Sequence, residues 1–481
     1  MLNLMTLPPW KNMLCIVLLC ATVVAFSGLA WIPIEAHEAF VLLAAQHMLD
    51  TGDWVIPFFN GEPHLTKPPL SYWFTALVSW LCGSSHIQPW HGRLPSALAG
   101  IGLVWGAAFS GKKLFDERVG LLAAVITATC TGFFYYTHTA RPEMLYAFLC
   151  ALAIMAYLHA RERPKGHAVA AYAMWAAFGV ATLSKGPQLP AMLLLAFAID
   201  QYWSGKNLRQ GLAILKPVGG LLLMALIALP WWWLLHHQLG GAGLHGTQLS
   251  GTLLHVNPLA NLSPYYLYRP LQLLLPWIVF LPTLALIGKS QLDRRNIKLL
   301  ALLVLLPTVM LTFGPQKRWY YMMPALLPMS IVLAAGTVLW VEKKSLRAAL
   351  SLAGFSVVCV LAFAVAGFTQ RMWGEGRFSY AQLAQVMKQH DTGNIPLVSW
   401  GVTPEIYAYY TGKIISTVGS PAEIASRIEQ APQGKVLLLL QNKALKKLPP
   451  GLKIEVLGKA AGNADDEPTV LVIASRVLPP S

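Results

Sequence analysis

Charge is scarce in this 481-residue chain: Asp, Glu, Lys and Arg make up only 12% of it. A soluble globular chain carries about a quarter. With 56% hydrophobic residues and a mean hydropathy of +0.52, the scarcity excludes an ordinary soluble domain. Acidic residues are rarer still, 21 against 36 Lys and Arg, so the net charge is +15. Such an excess would suit a nucleic-acid binder, but no basic–aromatic stripe is present. The basic residues stand instead in short clusters between apolar runs, the pattern that orients membrane proteins. No nucleic-acid partner is expected. Cysteine is sparse as well: Cys15, Cys20, Cys82, Cys130, Cys150 and Cys359 all lie in apolar runs. Their spacing fits neither a metal site nor a disulfide framework. They are expected to be buried small hydrophobes. The chain also lacks internal repeats and low-complexity tracts.

What is present is a series of apolar runs of about 20 residues, enough to cross hydrocarbon as helices. Helices are expected at 13–33, 93–111, 119–138, 143–160, 168–184, 187–203, 212–235, 270–288, 299–313, 323–341 and 348–368. The first run sits where a signal peptide would. It is expected to be retained as an anchor helix, with Lys11 on its cytoplasmic side. Basic clusters follow at Lys112/Lys113/Arg118, Arg161/Arg163/Lys165, Lys206/Arg209, Lys289/Arg294/Arg295/Lys298 and Lys343/Lys344/Arg347. All five fall on the cytoplasmic side if the short run 68–83, which opens on two prolines, does not cross. An in-plane or re-entrant helix is expected there. The expected fold class is an all-α polytopic membrane protein with about 11 spans plus juxtamembrane helices.

This parity has a physical consequence. It places Glu38, Lys67, Arg93, Arg141, Glu143, Lys185, Arg269, Lys317 and Arg318 on the external face. Positive residues there oppose the orientation rule. A convergent anion-binding site would account for them. The stretch 35–73, EAHEAFVLLAAQHMLDTGDWVIPFFNGEPHLTKPPLSYW, is the longest polar-bearing interval before the C-terminal region. Charge near hydrocarbon is costly and is usually kept for function. Residues 35–92 are therefore read as an external catalytic loop within a transmembrane domain, 1–369. Beyond it the apolar runs shorten to strand length at 396–400, 435–440, 452–457 and 469–474. Helical patterns intervene at 380–390, 404–411 and 421–430. This alternation predicts a small external α/β domain over 370–481.

Particular motifs carry a resemblance. His37-Glu38 is followed by MLDTGDWVIP at 48–57, Asn60-Gly61 and KPPLSYW at 67–73. Later come RLPSAL at 93–98, ARPEM at 140–144, SKGP at 184–187, LPW at 275–277, KRWYYMMPALLPMS at 317–330 and PEIYAYYTG at 404–412. In these the chain resembles the C-type (GT-C) membrane glycosyltransferases of the protein O-mannosyltransferase superfamily. The likeness is to the bacterial branch that modifies lipid A with 4-amino-4-deoxy-L-arabinose. Two positions depart from that pattern. His37 stands where the family's acidic pair begins with Asp, and Thr66 stands where that branch has a glutamate implicated in metal binding.

The resemblance implies a multi-pass enzyme of the bacterial inner membrane with its active site facing the periplasm. It would move a sugar from a polyprenyl (undecaprenyl) phosphate carrier to lipid A or another surface glycan. A protein O-glycosyltransferase and a lipid-linked sugar flippase are the alternatives. Its partners would be the polyprenyl-phosphate-linked donor, a lipid or glycan acceptor and membrane lipid. Breaking a sugar–phosphate bond leaves growing charge on the phosphate, which preorganised cations stabilise. Lys67, stiffened by the two prolines after it, is the first candidate. Lys185, Lys317, Arg318 and Arg269 are further phosphate or carrier ligands. Glu38 or Glu35 takes the acidic role, as a base or against positive charge on the sugar. Arg141, Glu143, Arg93 and His37 are acceptor or support residues, Arg93 the more structural. Asp53 after Gly52 is a turn residue. The motifs establish no cofactor and leave a divalent metal open, with Glu62 and His64 as candidates that lack a third ligand.

Overall fold

The computed structural model describes residues 9–162, 167–204, 208–240, 262–344, 346–369, 375–391, 393, 395–461 and 467–476. Arg163, Lys165 and Lys206 of the expected basic clusters lie outside the described residues. The chain divides into two compact units. One comprises Met1–Leu29, Leu65–Phe74 and Trp90–Phe368; the other comprises Ala30–His64, Thr75–Pro89 and Thr369–Ser481.

The first unit is helical. Seven of its described helices are long and apolar enough to cross a membrane: Pro89–Leu114, Pro142–Glu162, His167–Lys185, Arg209–Leu239, Arg294–Phe313, Trp319–Glu342 and Leu346–Phe368. Two bent pairs raise the number to nine if each is one span. These are Glu117–Ala128 with Thr131–Thr137, bent by 53°, and Tyr265–Leu274 with Trp277–Lys289, bent by 114°. All eleven expected runs fall on helices, but two are shorter than a span needs. Trp10–Phe26 has 17 residues and Gln188–Trp203 has 16. The first stops well before the expected limit at 33, because Gly28 turns to a φ of 75° and Pro33 follows. The run expected to stay in plane forms the 12-residue helix Leu70–Leu81. At 1.5 Å per residue it is about 18 Å long, short of the ~30 Å hydrocarbon core.

The two bends satisfy one another. A break in a buried helix frees backbone groups that must find partners inside the protein. Thr131 donates its N–H to the Leu275 carbonyl at 2.8 Å. The Trp277 indole, fully buried, donates to the Thr129 carbonyl at 3.1 Å. The His138 ring, buried just past the first bent pair, bridges the Phe134 and Ser27 carbonyls at 2.7 Å each. It thereby ties this segment to the end of Trp10–Phe26.

The basic clusters are knitted to acids. Lys113 pairs with Glu162 at 2.6 Å, and Arg118 with Glu342 at 2.8 Å. Asp200, fully buried, takes Arg295 at 2.8 Å and Arg161 at 3.5 Å, and accepts from the Tyr157 hydroxyl. Asn296 accepts from Arg161 at 2.7 Å and donates to the Leu114 carbonyl at 2.6 Å. The cysteines differ in part from expectation. Cys130, Cys150 and Cys359 are buried, but Cys15 and Cys82 are exposed. Outward faces of apolar helices carry such residues without cost where lipid surrounds them.

The second unit opens with the Ala36–Thr51 helix, which ends on Gly52 at φ 73°. A short hairpin follows, β1 (Phe58–Phe59) against β2 (Glu62–Pro63). The C-terminal part is a five-stranded sheet of β3 (Leu397–Trp400), β4 (Ser416–Val418), β5 (Lys435–Gln441), β6 (Leu452–Ala460) and β7 (Thr469–Arg476). Its order is β4-β3-β5-β7-β6. The first three strands are parallel and β7 runs antiparallel to both neighbours. Helices Glu375–His390, Glu405–Thr411 and Pro421–Gln430 complete it. β5 is buried from Val436 to Leu440, which explains its unbroken apolar reading as a strand covered on both faces. β4 has no apolar run, and the sequence patterning did not predict it.

Helix backbones approach closely where two glycines meet. A Cβ on Gly111 would lie 2.9 Å from the Gly120 Cα, and one on Gly120 would lie 2.8 Å from the Lys112 nitrogen. Small residues allow this approach of Pro89–Leu114 to Glu117–Ala128. Gly120→Ala should therefore destabilise by about 1–3 kcal/mol, the cost of overpacking. Gly354→Ala meets nothing within 4 Å and should be neutral. Thermal unfolding of both variants in detergent checks this; equal melting temperatures would refute it.

Candidate active site

Glu143 stands at the start of the Pro142–Glu162 helix and is 1% exposed. A carboxylate removed from water needs charged partners. Arg141 supplies one: its Nε lies 3.1 Å from Glu143 Oε2. Lys185 supplies another, with Nζ 3.0 Å from Oε1. Pro142 begins the helix at a position that tolerates proline, so Arg141 and Glu143 bracket the helix start. Ser96 donates to the Arg141 carbonyl at 3.2 Å. Lys185 closes the His167–Lys185 helix, and Gly186 makes the turn beyond it at φ 96°, where a side chain would be strained. The Tyr146 hydroxyl donates to the Gly186 carbonyl at 2.9 Å and holds that turn.

Tyrosines wall the group. The Arg141 guanidinium lies 4.4 Å from the Tyr320 ring centre and 5.6 Å from that of Tyr136. The Lys185 ammonium lies 4.5 Å from the Tyr321 ring centre. The Lys67 ammonium lies 5.9 Å from the same ring. Cations over aromatic faces are stabilised without being neutralised. Lys67 makes no hydrogen bond or ion pair among the described residues. Burial, with the Lys185 charge adding to it, lowers its pKa to about 7, although Glu143 pulls the other way. Arg141, Lys185 and protonated Lys67 thus outnumber the one carboxylate by two charges. Such an arrangement is suited to an anion.

The remaining expected residues make contacts of their own. Arg93 is fully buried and donates to the Leu29 carbonyl at 3.0 Å, a support role. Arg269 sits against the rings of Tyr265 and Tyr268. Arg318 is exposed, and its backbone N–H donates to the Tyr266 hydroxyl at 3.0 Å. The Lys317 ammonium donates to the carbonyls of Leu311, Thr312 and Gly314, at the C-terminal end of Arg294–Phe313, where a cation meets the helix dipole. Tyr136, Tyr320 and Tyr321 were not expected in the site. The signal was there in KRWYYMMP, but an interfacial aromatic belt accounts for it equally well.

In the second unit, Glu35 precedes Ala36–Thr51 as its N-cap and forms a capping box with Glu38. Glu38 is fully buried, and its Oε2 accepts the Glu35 N–H at 3.0 Å. His37 is exposed. Asp53 accepts from Val55 N at 2.9 Å and Ile56 N at 3.3 Å, which makes it a turn residue. His64 stacks on Phe40 at 5.2 Å and meets the edge of Phe59 at 4.7 Å. Glu62 is exposed on β2. Among the described residues no three His, Cys, Asp or Glu side chains group as metal ligands.

The chain resembles the C-type membrane glycosyltransferases of the protein O-mannosyltransferase superfamily, by family-model match and by fold. Residues 66–233, which contain the whole cation group except its tyrosine wall at 320–321, match the family model described as dolichyl-phosphate-mannose-protein mannosyltransferase. The chain is 25% identical over 360 residues to the undecaprenyl phosphate-alpha-4-amino-4-deoxy-L-arabinose arabinosyl transferase of Yersinia enterocolitica. That match covers 71% of this chain and 62% of the relative, so the chain spans under two thirds of its length. In fold it is similar to ArnT from Cupriavidus metallidurans bound to undecaprenyl phosphate. The TM-score is 0.72 at 18% identity, over 96% of this chain and 98% of that one. It is also similar to the Archaeoglobus fulgidus oligosaccharyltransferase, with a TM-score of 0.57 at 14% identity over 90% and 68% of the two chains.

Removing the carboxylate should expose how the cations are held. Glu143→Gln keeps the shape but leaves Arg141 and Lys185 without their counter-charge. Breaking a buried pair in this way costs about 3–5 kcal/mol. The variant should melt well below wild type, and added inorganic phosphate should recover part of the difference. An unchanged melting temperature would show that Glu143 does not hold the group together.

Proposed function

We propose that the protein transfers a sugar from undecaprenyl phosphate or a similar polyprenyl phosphate to an acceptor at the outer face of the inner membrane. Lipid A or another surface glycan is the acceptor that the relatives favour. The observation that carries this reading is the convergence of three basic side chains, Lys67, Arg141 and Lys185, near the one buried carboxylate of Glu143. The bond from C1 of the sugar to the carrier phosphate breaks, and its electron pair leaves with the phosphate oxygen. Lys67, with no hydrogen bond or ion pair among the described residues and set over Tyr321, takes that growing charge. Arg141 and Lys185 hold the other phosphate oxygens or the acceptor. Arg318 and Arg269 assist carrier binding. The acceptor oxygen attacks C1, and its proton passes to the acidic group of the Glu35–Glu38 box. An acceptor that is already an anionic phosphate needs no such base. The family description as a protein mannosyltransferase supports a protein hydroxyl as the second acceptor reading.

Eleven crossings are part of the same proposal: the nine spans and bent pairs, with Trp10–Phe26 and Gln188–Trp203 crossing where the bilayer thins to meet them. The 35–92 stretch and the α/β domain of 370–481 then face the periplasm, and the domain shapes acceptor access. The basic clusters support this orientation. Lys112 and Lys344, both exposed, should react with a membrane-impermeant amine reagent only from the cytoplasmic side. Modification of either in intact cells stripped of their outer membrane would reverse the topology.

Lys67 gives the catalytic reading a pH signature. Phosphate binds the ammonium form, while the free site has a pKa of about 7. Below that value the proton is already present. Above it, binding must bring a proton in, so affinity should fall by up to about tenfold per pH unit. Lys67→Arg keeps its charge throughout, so it should lose this dependence. It should recover only part of the turnover, because a planar fork replaces a compact ammonium. Titrating undecaprenyl phosphate from pH 6.5 to 8.5 with both proteins separates this effect from titration of the carrier itself. Parallel pH profiles would remove Lys67 from the phosphate site.

A further inference from the structure

One short stretch of the C-terminal domain grips three separate pieces of the second unit. Tyr410 accepts, on its hydroxyl, the N–H of Ile34 at 3.2 Å. Ile34 is fully buried and immediately precedes Glu35, the N-cap of Ala36–Thr51. Tyr409 donates its hydroxyl to the Ile87 carbonyl at 2.9 Å. The Ile87 N–H in turn donates to Gln46 at 2.8 Å, on the helix that Glu35 caps. Asn60, at the tip of the β1–β2 hairpin, pairs with Ile415 as one strand pairs with another. Its Nδ2 donates to the Ile415 carbonyl and its Oδ1 accepts the Ile415 N–H, both at 2.8 Å. Asn60 has a φ of 50°, a conformation few residues other than Asn, Asp and Gly accept. The hairpin tip and its side-chain pairing therefore depend on this residue type.

We propose that Tyr410 and Asn60 are positioning residues, through which the C-terminal domain holds the Glu35–Glu38 turn in its working register. The domain would thus take part in turnover without contributing a reacting group. This rests on the reading of the Glu35–Glu38 box as the acidic element of the transfer. Ile34 leads directly into that box, and a fixed N–H there fixes the direction in which Glu35 leaves the chain. Small misplacements of an acidic group are costly, because geometry alone supplies a large part of catalysis.

The test uses the full chain in detergent, with undecaprenyl phosphate as the binding probe and surface glycolipid as acceptor. Tyr410→Phe removes only the hydroxyl. Asn60→Gly removes both hydrogen bonds without straining the positive φ. Each should lower turnover by about tenfold and leave the affinity for undecaprenyl phosphate within a factor of two. Asn60→Asp still accepts from Ile415 N–H and should lie between wild type and Asn60→Gly. Hydrogen exchange should quicken over residues 34–51 while β3, β5 and β7 stay protected, which shows that the domain is folded. Wild-type turnover in both variants would overturn the proposal. So would carrier affinity falling in step with turnover. Glu35→Gln and Glu38→Gln separate the two readings. If neither lowers turnover, the acidic role of the box is wrong. If either does while Tyr410→Phe and Asn60→Gly do not, only the positioning role is wrong.

Discussion

A carboxylate almost wholly out of water, facing more positive charge than it can neutralise, sets the terms for the first unit. Glu143 holds Arg141 at 3.1 Å and Lys185 at 3.0 Å. Without it, two buried cations would repel each other in a region where water cannot screen them. With it, they stay charged and in place, and the Lys67 ammonium is added without a counter-charge of its own. The tyrosine rings at 136, 320 and 321 let the cations sit close to apolar surface. They do so through their π-faces, which attract positive charge but do not cancel it. The site is therefore poised for an anion in the way a preorganised transition-state site must be.

The same helix fixes both ends of the bundle. Pro142–Glu162 carries Glu143 near its start and Arg161 near its end, about 27 Å apart by helix rise, close to one hydrocarbon thickness. At the far end Arg161 and Arg295 meet buried Asp200. There two guanidiniums share one carboxylate, so a surplus of positive charge stands at each end of the helix. The two bent pairs serve the same scaffold. The Thr131 N–H bonds to the Leu275 carbonyl and the Trp277 indole to the Thr129 carbonyl, so each break supplies a partner to the other.

The second unit adds a different principle. The buried Glu38 side chain closes the capping box by accepting the Glu35 N–H at the start of its helix. A capping box is rigid, and rigidity is what an acidic group needs if it is to act at a fixed point. Asn60 at the hairpin tip and Tyr410 beside Ile34 extend that rigidity into the α/β domain. His64 stacks on Phe40 and meets the edge of Phe59.

The sequence by itself determined the class of architecture. Apolar runs of helical length and strand-length runs near the C-terminus are one-dimensional signals, and burial in lipid or in a sheet leaves little choice about what they become. It also singled out Lys67, Arg141, Glu143 and Lys185, because charges near hydrocarbon stand out where charge is rare. It did not separate Lys185, which faces Glu143, from Lys317, which caps a helix. Both are lysines beside apolar runs, and only the fold decides which carbonyl or carboxylate lies within 3 Å. The 114° bend before Trp277 and the three-residue strand β4 likewise left no periodic trace. Tertiary structure alone decided that Tyr320 and Tyr321 wall the cations, and that Asn60 meets Ile415 across 355 residues of chain. Contacts at such separation depend on how helices and strands pack, and packing is a property of the assembled surfaces rather than of any local stretch.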